Sequence, residues 1–219
     1  MIKHAFWQAL VFTVFIFGIG LFFGFFVEQS RVTGAQLGLI NSEVNVLDAQ
    51  IRERALDTFA VDCELAVQST FDFADTIYYE ARTLEQYDNA NKFPDLLGAL
   101  HRRYDLLRTM LWIEAVELKD RCDVDFHTVV YLYEYNTEDI DTSSYQAYYS
   151  RLLYDLKLAH PEEVILIPIA ANSGLASLDL LVEQQDVSTL PAIVIDERTV
   201  VTTIITFDEL ETIVFESNN

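Results

Sequence analysis

The sequence predicts an α+β protein in three parts: an N-terminal transmembrane helix, an antiparallel helical bundle or hairpin, and a C-terminal α/β domain. Three observations support this prediction. An uncharged apolar stretch opens the chain, apolar residues then recur every three or four positions as far as Cys122, and β-branched runs alternate with helical patterns after it. The predicted boundaries are 1–27, 28–122 and 123–219.

The composition restricts the possible partners. The chain has 219 residues, of which 51% are hydrophobic, so it is long and apolar enough to bury a core. Fourteen Lys and Arg stand against thirty-five Asp and Glu, which gives a formal net charge of −21. Phosphate binding needs a basic face, so nucleic acid is excluded as a partner. We interpret the acidity as a solubilising surface, and we predict no cofactor.

The first segment predicts the localisation. Residues 5–27 read "AFWQALVFTVFIFGIGLFFGFFV", a stretch without charge that is long enough to cross a bilayer core of about 30 Å as a helix. A cleaved signal peptide is the alternative, but its apolar region is about 7–15 residues long and ends in a small-residue cleavage site. The stretch matches neither feature well, so we expect an uncleaved single-pass anchor.

The flanking charges and the glycines add two expectations about this anchor. Lys3 precedes the span, and the positive-inside rule then places the N-terminus in the cytoplasm and the later domains outside it. Gly20 and Gly24 form a GxxxG pattern, which allows another helix to pack closely in the membrane. Ordinary transmembrane glycines are the alternative reading.

Three helices are predicted between the span and Cys122. Asp62 is a candidate N-cap after the first helix, and Pro94 suits the start of the third after the turn "NANKFP". The first of these helices, at 28–57, either folds back on the bundle or forms an extended stalk that dimerises as a homo-oligomer. Its apolar seam consists of Leu37, Ile40, Val44, Leu47 and Ile51.

The two cysteines are predicted to be neighbours. Cys63 and Cys122 are equidistant from the turn at residues 89–94, and in an antiparallel hairpin such residues lie at the same height. An even cysteine count in a domain outside the cytoplasm predicts a disulfide, with two buried thiols as the alternative. Their acidic neighbours and apolar seam do not favour a reactive thiolate.

From about His127 the pattern becomes β-α-β-α-β-β-α. A helix over "SSYQAYYSRLLYDLKLA" has Ser143 or Ser144 as its cap, and the last helix opens with a capping box from Thr206 to Glu209. Strands joined by helices predict parallel pairing, whereas the short connection "ERT" predicts an antiparallel hairpin. The predicted strands read "TVVYLYEY", "EVILIPIAA", "AIVID" and "TVVTTIIT", and the middle helix reads "LASLDLLVEQQ".

Residues 188–196 read "STLPAIVID", a proline loop followed by an apolar strand. With the element order, this motif resembles the thioredoxin-like fold over residues 123–219. The resemblance implies that Leu190-Pro191 is a cis peptide bond. It also implies a contact surface at Thr189, Leu190 and Pro191, with the loop from Asn136 to Ser144 opposite, which binds an extended partner segment. The alternative is that Pro191 only ends a loop and preserves the fold. The whole chain also resembles single-span membrane proteins of minimal-genome archaea, a resemblance that implies no activity.

The sequence departs from this family where the redox motif belongs. At the start of the first helix of the domain the chain reads "NTEDIDTSSYQ", and no cysteine follows Cys122. Without a thiolate there is no nucleophile for disulfide exchange. We therefore expect no enzyme, but a redox-inactive scaffold or accessory subunit that binds other membrane or secreted proteins. The alternatives are a thiol-disulfide exchange component using Cys63 and Cys122, and a structural spacer in a homo-oligomer.

No metal site is predicted. The acidic loop residues Glu138, Asp139 and Asp141 lack the ligand spacing of a calcium loop. Three of the four histidines also have no Cys or His partner at metal-ligand spacing; these are His101, His127 and His160.

Overall fold

The structure, a computed structural model, describes residues 2–59, 61–88 and 94–216. The chain divides into two compact units, 1–48 and 49–219. Helix α1 covers Ile2–Thr58. The side chains of residues 28–42 lie outside the described part, and with them Leu37 and Ile40 of the predicted seam.

The first unit contains the candidate membrane span. The window Leu10–Val27 has 18 residues and a mean hydropathy of 2.6, so it is long and apolar enough to cross a membrane. None of this window is buried in the structure. A Cβ atom added at Gly20 or Gly24 meets nothing within 4 Å. Helix packing at these two glycines stays a prediction.

The second unit begins with a helical pair. Helix α2 covers Cys63–Asp88 and helix α3 covers Pro94–Arg121. Asp62 caps α2, because its Oδ1 accepts a hydrogen bond from the Glu64 backbone N–H at 3.0 Å. Pro94 is the first residue of α3, as predicted, whereas the predicted turn at 89–93 lies outside the described residues.

A buried ion pair ties the last turns of α1 to this pair of helices. The Arg52 guanidinium donates to the Glu114 carboxylate and to the Ser69 carbonyl, and the Thr70 hydroxyl donates to the other Glu114 oxygen at 2.8 Å. Ala49 is buried one turn earlier on α1. Residues 49–58 of α1 therefore pack on α2 and α3 within the second unit.

The rest of the second unit is a four-stranded mixed sheet with helices. The strands lie in the order β2-β1-β3-β4, and the elements follow each other as β-α-β-α-β-β-α, as the sequence predicts. The strands are β1 (His127–Tyr133), β2 (Val164–Ala170), β3 (Ala192–Ile195) and β4 (Thr199–Val201), and the helices are α4 (Ile140–Ala159), α5 (Ala176–Gln184) and α6 (Phe207–Glu216).

Two buried layers cover the faces of this sheet. Because strand side chains alternate between faces, Val129 and Tyr131 of β1 join the core formed with α4 and α6. Val130 and Leu132 point to the other face and are also fully or almost fully buried. Helix α3 contacts β1, β2 and α5. The sheet is therefore a buried platform, and only its ends and edges reach solvent.

The predicted parallel pairing holds for β1 and β2 but is wrong for β3. Strand β3, which is reached through α5, pairs antiparallel with β1, and the β3–β4 hairpin is antiparallel as predicted. Helix α5 has nine residues and rises about 14 Å, less than the roughly 23 Å that a seven-residue strand spans. It is thus too short to return the chain to the start of β2, so β3 begins where β2 ends.

Two predicted boundaries are also corrected. Helix α4 is capped by Asp139, whose side chain accepts from the Thr142 backbone N–H, and not by Ser143 or Ser144, which lie inside the helix. Strand β4 ends at Val201, well short of the predicted "TVVTTIIT". The capping box at α6 is confirmed: the Glu209 carboxylate accepts from the Thr206 N–H at 2.7 Å.

Candidate functional site

The strand register brings four chain segments to one end of the sheet. Leu132 is paired with Ala192, so the exit of β1 and the entry of β3 lie side by side. Ile193 is paired with Val201, which adds the exit of β4, and the parallel pairing of β1 with β2 adds the exit of β2. We call this the Pro191 end; its segments are residues 134–140, 171–175, 188–191 and 202–206.

The Thr189-Leu190-Pro191 motif occupies the centre of the Pro191 end. The Leu190-Pro191 peptide bond is cis, which confirms the expectation drawn from the resemblance. Pro191 is buried, Leu190 is half-buried and Thr189 is exposed. The β1–β3 register begins at Ala192, so Leu190 lies just outside the ladder. Leu190 therefore lies beside the end of the sheet and is partly open to solvent.

Side-chain amides hold the exit of β1 in place. The Gln146 side chain accepts from the Glu134 N–H at 2.7 Å and donates to the Glu134 carbonyl at 3.2 Å. The Asn172 side chain likewise accepts from the Tyr135 N–H at 2.8 Å and donates to the Tyr135 carbonyl at 2.9 Å. Each amide therefore mimics a strand partner after the β1 ladder has ended. The loop that follows Tyr135 starts from a fixed point.

The first turn of α4 presents an isolated apolar side chain among acidic ones. Ile140 is 79% exposed, and Glu138, Asp139 and Asp141 beside it are exposed as well. Two hydrogen bonds from Thr142 to the Asp139 carboxylate lower the pKa of that group, because they favour its charged form. The carboxylate that could have been a cation ligand is thus already used as a helix cap.

Two tyrosine hydroxyls hold the exit of β4 against α4. Tyr149 donates to the Thr203 carbonyl at 2.6 Å, and Tyr148 donates to the Ile205 carbonyl at 2.7 Å. These bonds replace the ladder beyond Val201 and explain why β4 is short. Ile204, between the two held carbonyls, is 56% exposed.

The cysteines lie away from the Pro191 end. Cys63 and Cys122 are joined as a disulfide with their Cα atoms 5.8 Å apart, as their symmetric placement predicts. Cys122 follows the last residue of α3 and comes shortly before the entry of β1, which is the opposite end of the sheet. The Cys122 side chain is buried. No thiol therefore stands beside Thr189-Leu190-Pro191.

A buried polar cluster, which the sequence analysis missed, lies at that opposite end. The Asp196 carboxylate accepts from the Lys119 ammonium at 2.5 Å and from the Thr128 N–H at 2.9 Å, and its other oxygen lies 2.6 Å from His127 Nδ1. Burial by itself raises the pKa of Asp196, but the hydrogen bonds from His127 and Lys119 outweigh it, and the pKa falls to about 2.

The same cluster holds the β3–β4 turn. Asp196 and Glu197 both have positive φ, at 47° and 55°, which is costly for residues with a Cβ atom. Glu197 Oε1 accepts from the Trp112 indole N–H and from the Thr128 hydroxyl, both at 2.8 Å. Because every one of these contacts joins the turn to α3 or β1, we interpret the cluster as structural. Only the turn sequence "IDERT" pointed to it.

A tyrosine-lined cavity of about 720 Å³ borders the edge strand β2. Tyr131 and Tyr133 of β1 stack in it with their ring centres 5.5 Å apart. Two arginines also line the cavity, Arg108 of α3 and Arg151 of α4. Arg108 forms an ion pair with the buried Asp105. Burial raises the pKa of Asp105, and the Arg108 charge opposes that shift. Basic, acidic and aromatic groups are mixed here, so the lining favours no single ligand chemistry.

Among the described residues, no three His, Cys, Asp or Glu side chains converge as metal ligands do. His101 packs on the Tyr135 ring, His127 bonds to Asp196, and His160 bonds to Glu211 at 2.7 Å.

Comparison of the chain with protein-family models, with curated proteins and with solved structures gives no match.

Proposed function

We propose that this chain is a membrane-anchored binding module. Residues 5–27 form the anchor, and the α/β part is a thioredoxin-like domain without thiol chemistry that holds an extended segment of another membrane or secreted protein at Thr189, Leu190 and Pro191. The observation that carries the proposal is the convergence of four connecting segments at the Pro191 end, with Leu190 just outside the β1–β3 ladder.

The proposed mode of binding is strand-like. Backbone groups beside the edge of a ladder can pair with an extended chain, and side chains nearby then select among partners. A buried Pro191 keeps the preceding residues in one path, since proline has a restricted φ. The side-chain amides of Gln146 and Asn172 fix the opposite wall of this groove before a partner arrives. Such preorganisation reduces the entropy cost of binding.

We infer that the groove carries out no thiol-disulfide exchange. The sequence contains only two cysteines, and they are bonded to each other. Disulfide exchange at the Pro191 end needs a thiolate there, and none of its segments supplies one. The disulfide also supports the proposed location of residues 28–219 outside the cytoplasm, because disulfides persist in oxidising compartments.

Replacement of Leu190 tests the proposal. In the full chain, Leu190→Asp is expected to keep the melting temperature and to reduce recovery of the partner in mild-detergent purification followed by mass spectrometry. The matched control is Leu158→Asp, because Leu158 is 61% exposed near the C-terminal end of α4. Unchanged recovery with Leu190→Asp and unchanged stability contradicts the proposal.

A second candidate is a structural spacer in a homo-oligomer. It is favoured by the exposed apolar side chains on α1, of which Val44 and Leu47 are 57% and 51% exposed. Water-exposed apolar residues at a 3–4 spacing are typical of a helix that pairs with another. Sedimentation of the full chain in detergent distinguishes the two, because Leu47→Asp lowers the mass only if these residues form the contact.

A further inference from the structure

The hydrogen bonds of the edge strand β2 show which of its backbone groups point away from the sheet. Just before β2, the Glu163 carbonyl accepts from the His127 N–H at 2.7 Å. Just after it, the Ala171 N–H donates to the Tyr133 carbonyl at 2.8 Å. Successive residues of an edge strand direct their backbone groups alternately toward the neighbouring strand and away from it. The odd-numbered residues of β2 therefore bond to β1, and the even-numbered residues face the outer edge of the sheet.

The protein itself closes both ends of this outer edge. At the start of β2, the Lys157 ammonium donates to the Val164 carbonyl at 2.8 Å, and the Val164 N–H donates to the His160 carbonyl at 3.2 Å. At the end of β2, the Ala170 N–H donates to the Asp105 carboxylate at 3.1 Å. These bonds agree with the outward direction of the even-numbered residues.

The middle of the outer edge is open. Leu166 and Pro168 are the even-numbered residues between the closed ends, and they are the only residues of β2 that are not buried. Within the described part of the chain, neither of them has a hydrogen bond on the outer side. Because proline has no N–H, the open groups are one donor, the Leu166 N–H, and two acceptors, the carbonyls of Leu166 and Pro168. Unpaired groups on an edge strand can pair with another extended chain.

The tyrosine-lined cavity lies at this open stretch. Leu166 and Pro168 line it together with Tyr78 of α2 and with Ala147 and Tyr154 of α4, and these three helical residues are exposed. The volume of about 720 Å³ is in the range of pockets that hold drug-sized ligands. The mixed side chains of the lining favour no single ligand chemistry, but the open backbone groups of β2 do, since they match the backbone of an extended peptide.

We propose that the outer edge of β2 binds a short extended segment of another protein as an additional strand. The segment accepts a hydrogen bond from the Leu166 N–H and donates its own N–H groups to the carbonyls of Leu166 and Pro168. Because side chains alternate along a strand, every second side chain of the segment faces the tyrosine-lined cavity, where apolar groups pack on the rings. This site does not include Leu190, so the inference goes beyond the proposed function.

Peptides with blocked amides test this mode of binding, with the full chain in nanodiscs of zwitterionic lipid. The probe is a labelled peptide, Ser-Val-Thr-Val-Thr-Val-Ser, and its binding is measured by fluorescence anisotropy. Two matched peptides carry N-methyl groups either on the valines or on the threonines. The N–H groups of alternate residues point to opposite edges of a strand, so only one of the two sets can donate to β2. We expect one methylated peptide to bind about tenfold more weakly than the probe and the other to bind as the probe does.

Variants of the chain show whether the probe binds at β2. Ala147→Trp fills the cavity from an exposed position on α4 and is expected to weaken binding of the probe about tenfold while the melting temperature is kept. The matched control is Leu158→Trp, because Leu158 is exposed on α4 but does not line the cavity. Leu190→Asp is expected to leave binding of the probe unchanged, whatever it does to the partner of the Pro191 end.

Four outcomes overturn the inference. The first is that the probe does not bind, and the second is that both methylated peptides bind equally. The third is that Ala147→Trp weakens the probe no more than Leu158→Trp does. The fourth is a loss of probe binding in Leu190→Asp, which assigns the peptide to the Pro191 end and supports the proposed function instead. If the full chain is a dimer that Ala147→Trp dissociates, the occupant is a second copy, and the assignment to another protein is wrong.

Discussion

Asp196 shows how a single carboxylate can stabilise a strained turn. It accepts hydrogen bonds from Lys119 and Thr128 and contacts His127, and its neighbour Glu197 is bonded to Trp112. These partners belong to α3 and β1, which are distant from the turn in sequence. Contacts of such long range leave no local pattern beyond the turn sequence "IDERT", which is why the sequence alone did not predict the cluster.

The low pKa of Asp196 predicts a pH dependence of stability. Its pKa is about 2 in the folded protein and about 3.9 in an unfolded chain, so the stabilisation is fully present above about pH 4. It is lost as the pH falls from about 4 to about 2, and it amounts to about 2 kcal/mol. Denaturation of the full chain at a series of acidic pH values should show this loss of stability. In the Asp196→Asn variant, this part of the pH dependence should be absent. The control is Asp179→Asn on the exposed side of α5.

The Arg52–Glu114 pair predicts an asymmetry between single and double replacements. Arg52→Met leaves the buried Glu114 carboxylate without its main counter-charge, so unfolding should become about 3 kcal/mol easier. Adding Glu114→Gln removes the uncompensated charge and should restore part of that loss. Chemical denaturation followed by circular dichroism measures both. Equal destabilisation by the single and the double variant contradicts this account.

At the scale of elements, periodicity identified the order of strands and helices but not their directions or ends. The direction of β3 depends on the short α5 and on the pairing with β1, neither of which is visible in a local run of residues. Strand β4 ends early because Tyr148 and Tyr149 hold the following carbonyls. The cap of α4 was misplaced because Asp139, Ser143 and Ser144 are all good caps by type.

The disulfide links two elements, and its removal should weaken the fold without affecting the groove. Replacing both Cys63 and Cys122 with Ala releases a loop of 59 residues, which costs about 4 kcal/mol on the chain-entropy estimate. Partner recovery should be unchanged at a temperature where the variant is folded, because the bridge is not at the Pro191 end. Non-reducing peptide mapping should find the two cysteine peptides linked. Two free thiols in protein from its own compartment contradict the bridge.

At the scale of the whole molecule, the acidic charge and the apolar first segment were readable from composition alone. The Pro191 motif was readable too, because a short loop carries it. The convergence of four connecting segments at the Pro191 end was not, since only the strand register brings them together.

The proposed topology predicts which side of the membrane is labelled. With Lys3 in the cytoplasm, a cysteine introduced at the exposed Ser177 of α5 should react with a membrane-impermeant maleimide in intact cells. The native cysteines are bonded and should not react. If Ser177→Cys is labelled only in permeabilised cells, the C-terminal domain lies in the cytoplasm and the proposed orientation is wrong. A cysteine introduced at Ile2, on the other side of the span, is the control.

The central claim is that the Pro191 end holds a partner segment, and site-specific photocrosslinking tests it most directly. A photoreactive residue at position 190 of the full chain is activated in intact cells, and the crosslinked peptide is mapped by mass spectrometry, with position 158 as the control. The account predicts a defined adduct from position 190, joined to one segment of one partner, and none from position 158. Adducts that are equal at both positions, or absent from position 190, contradict it.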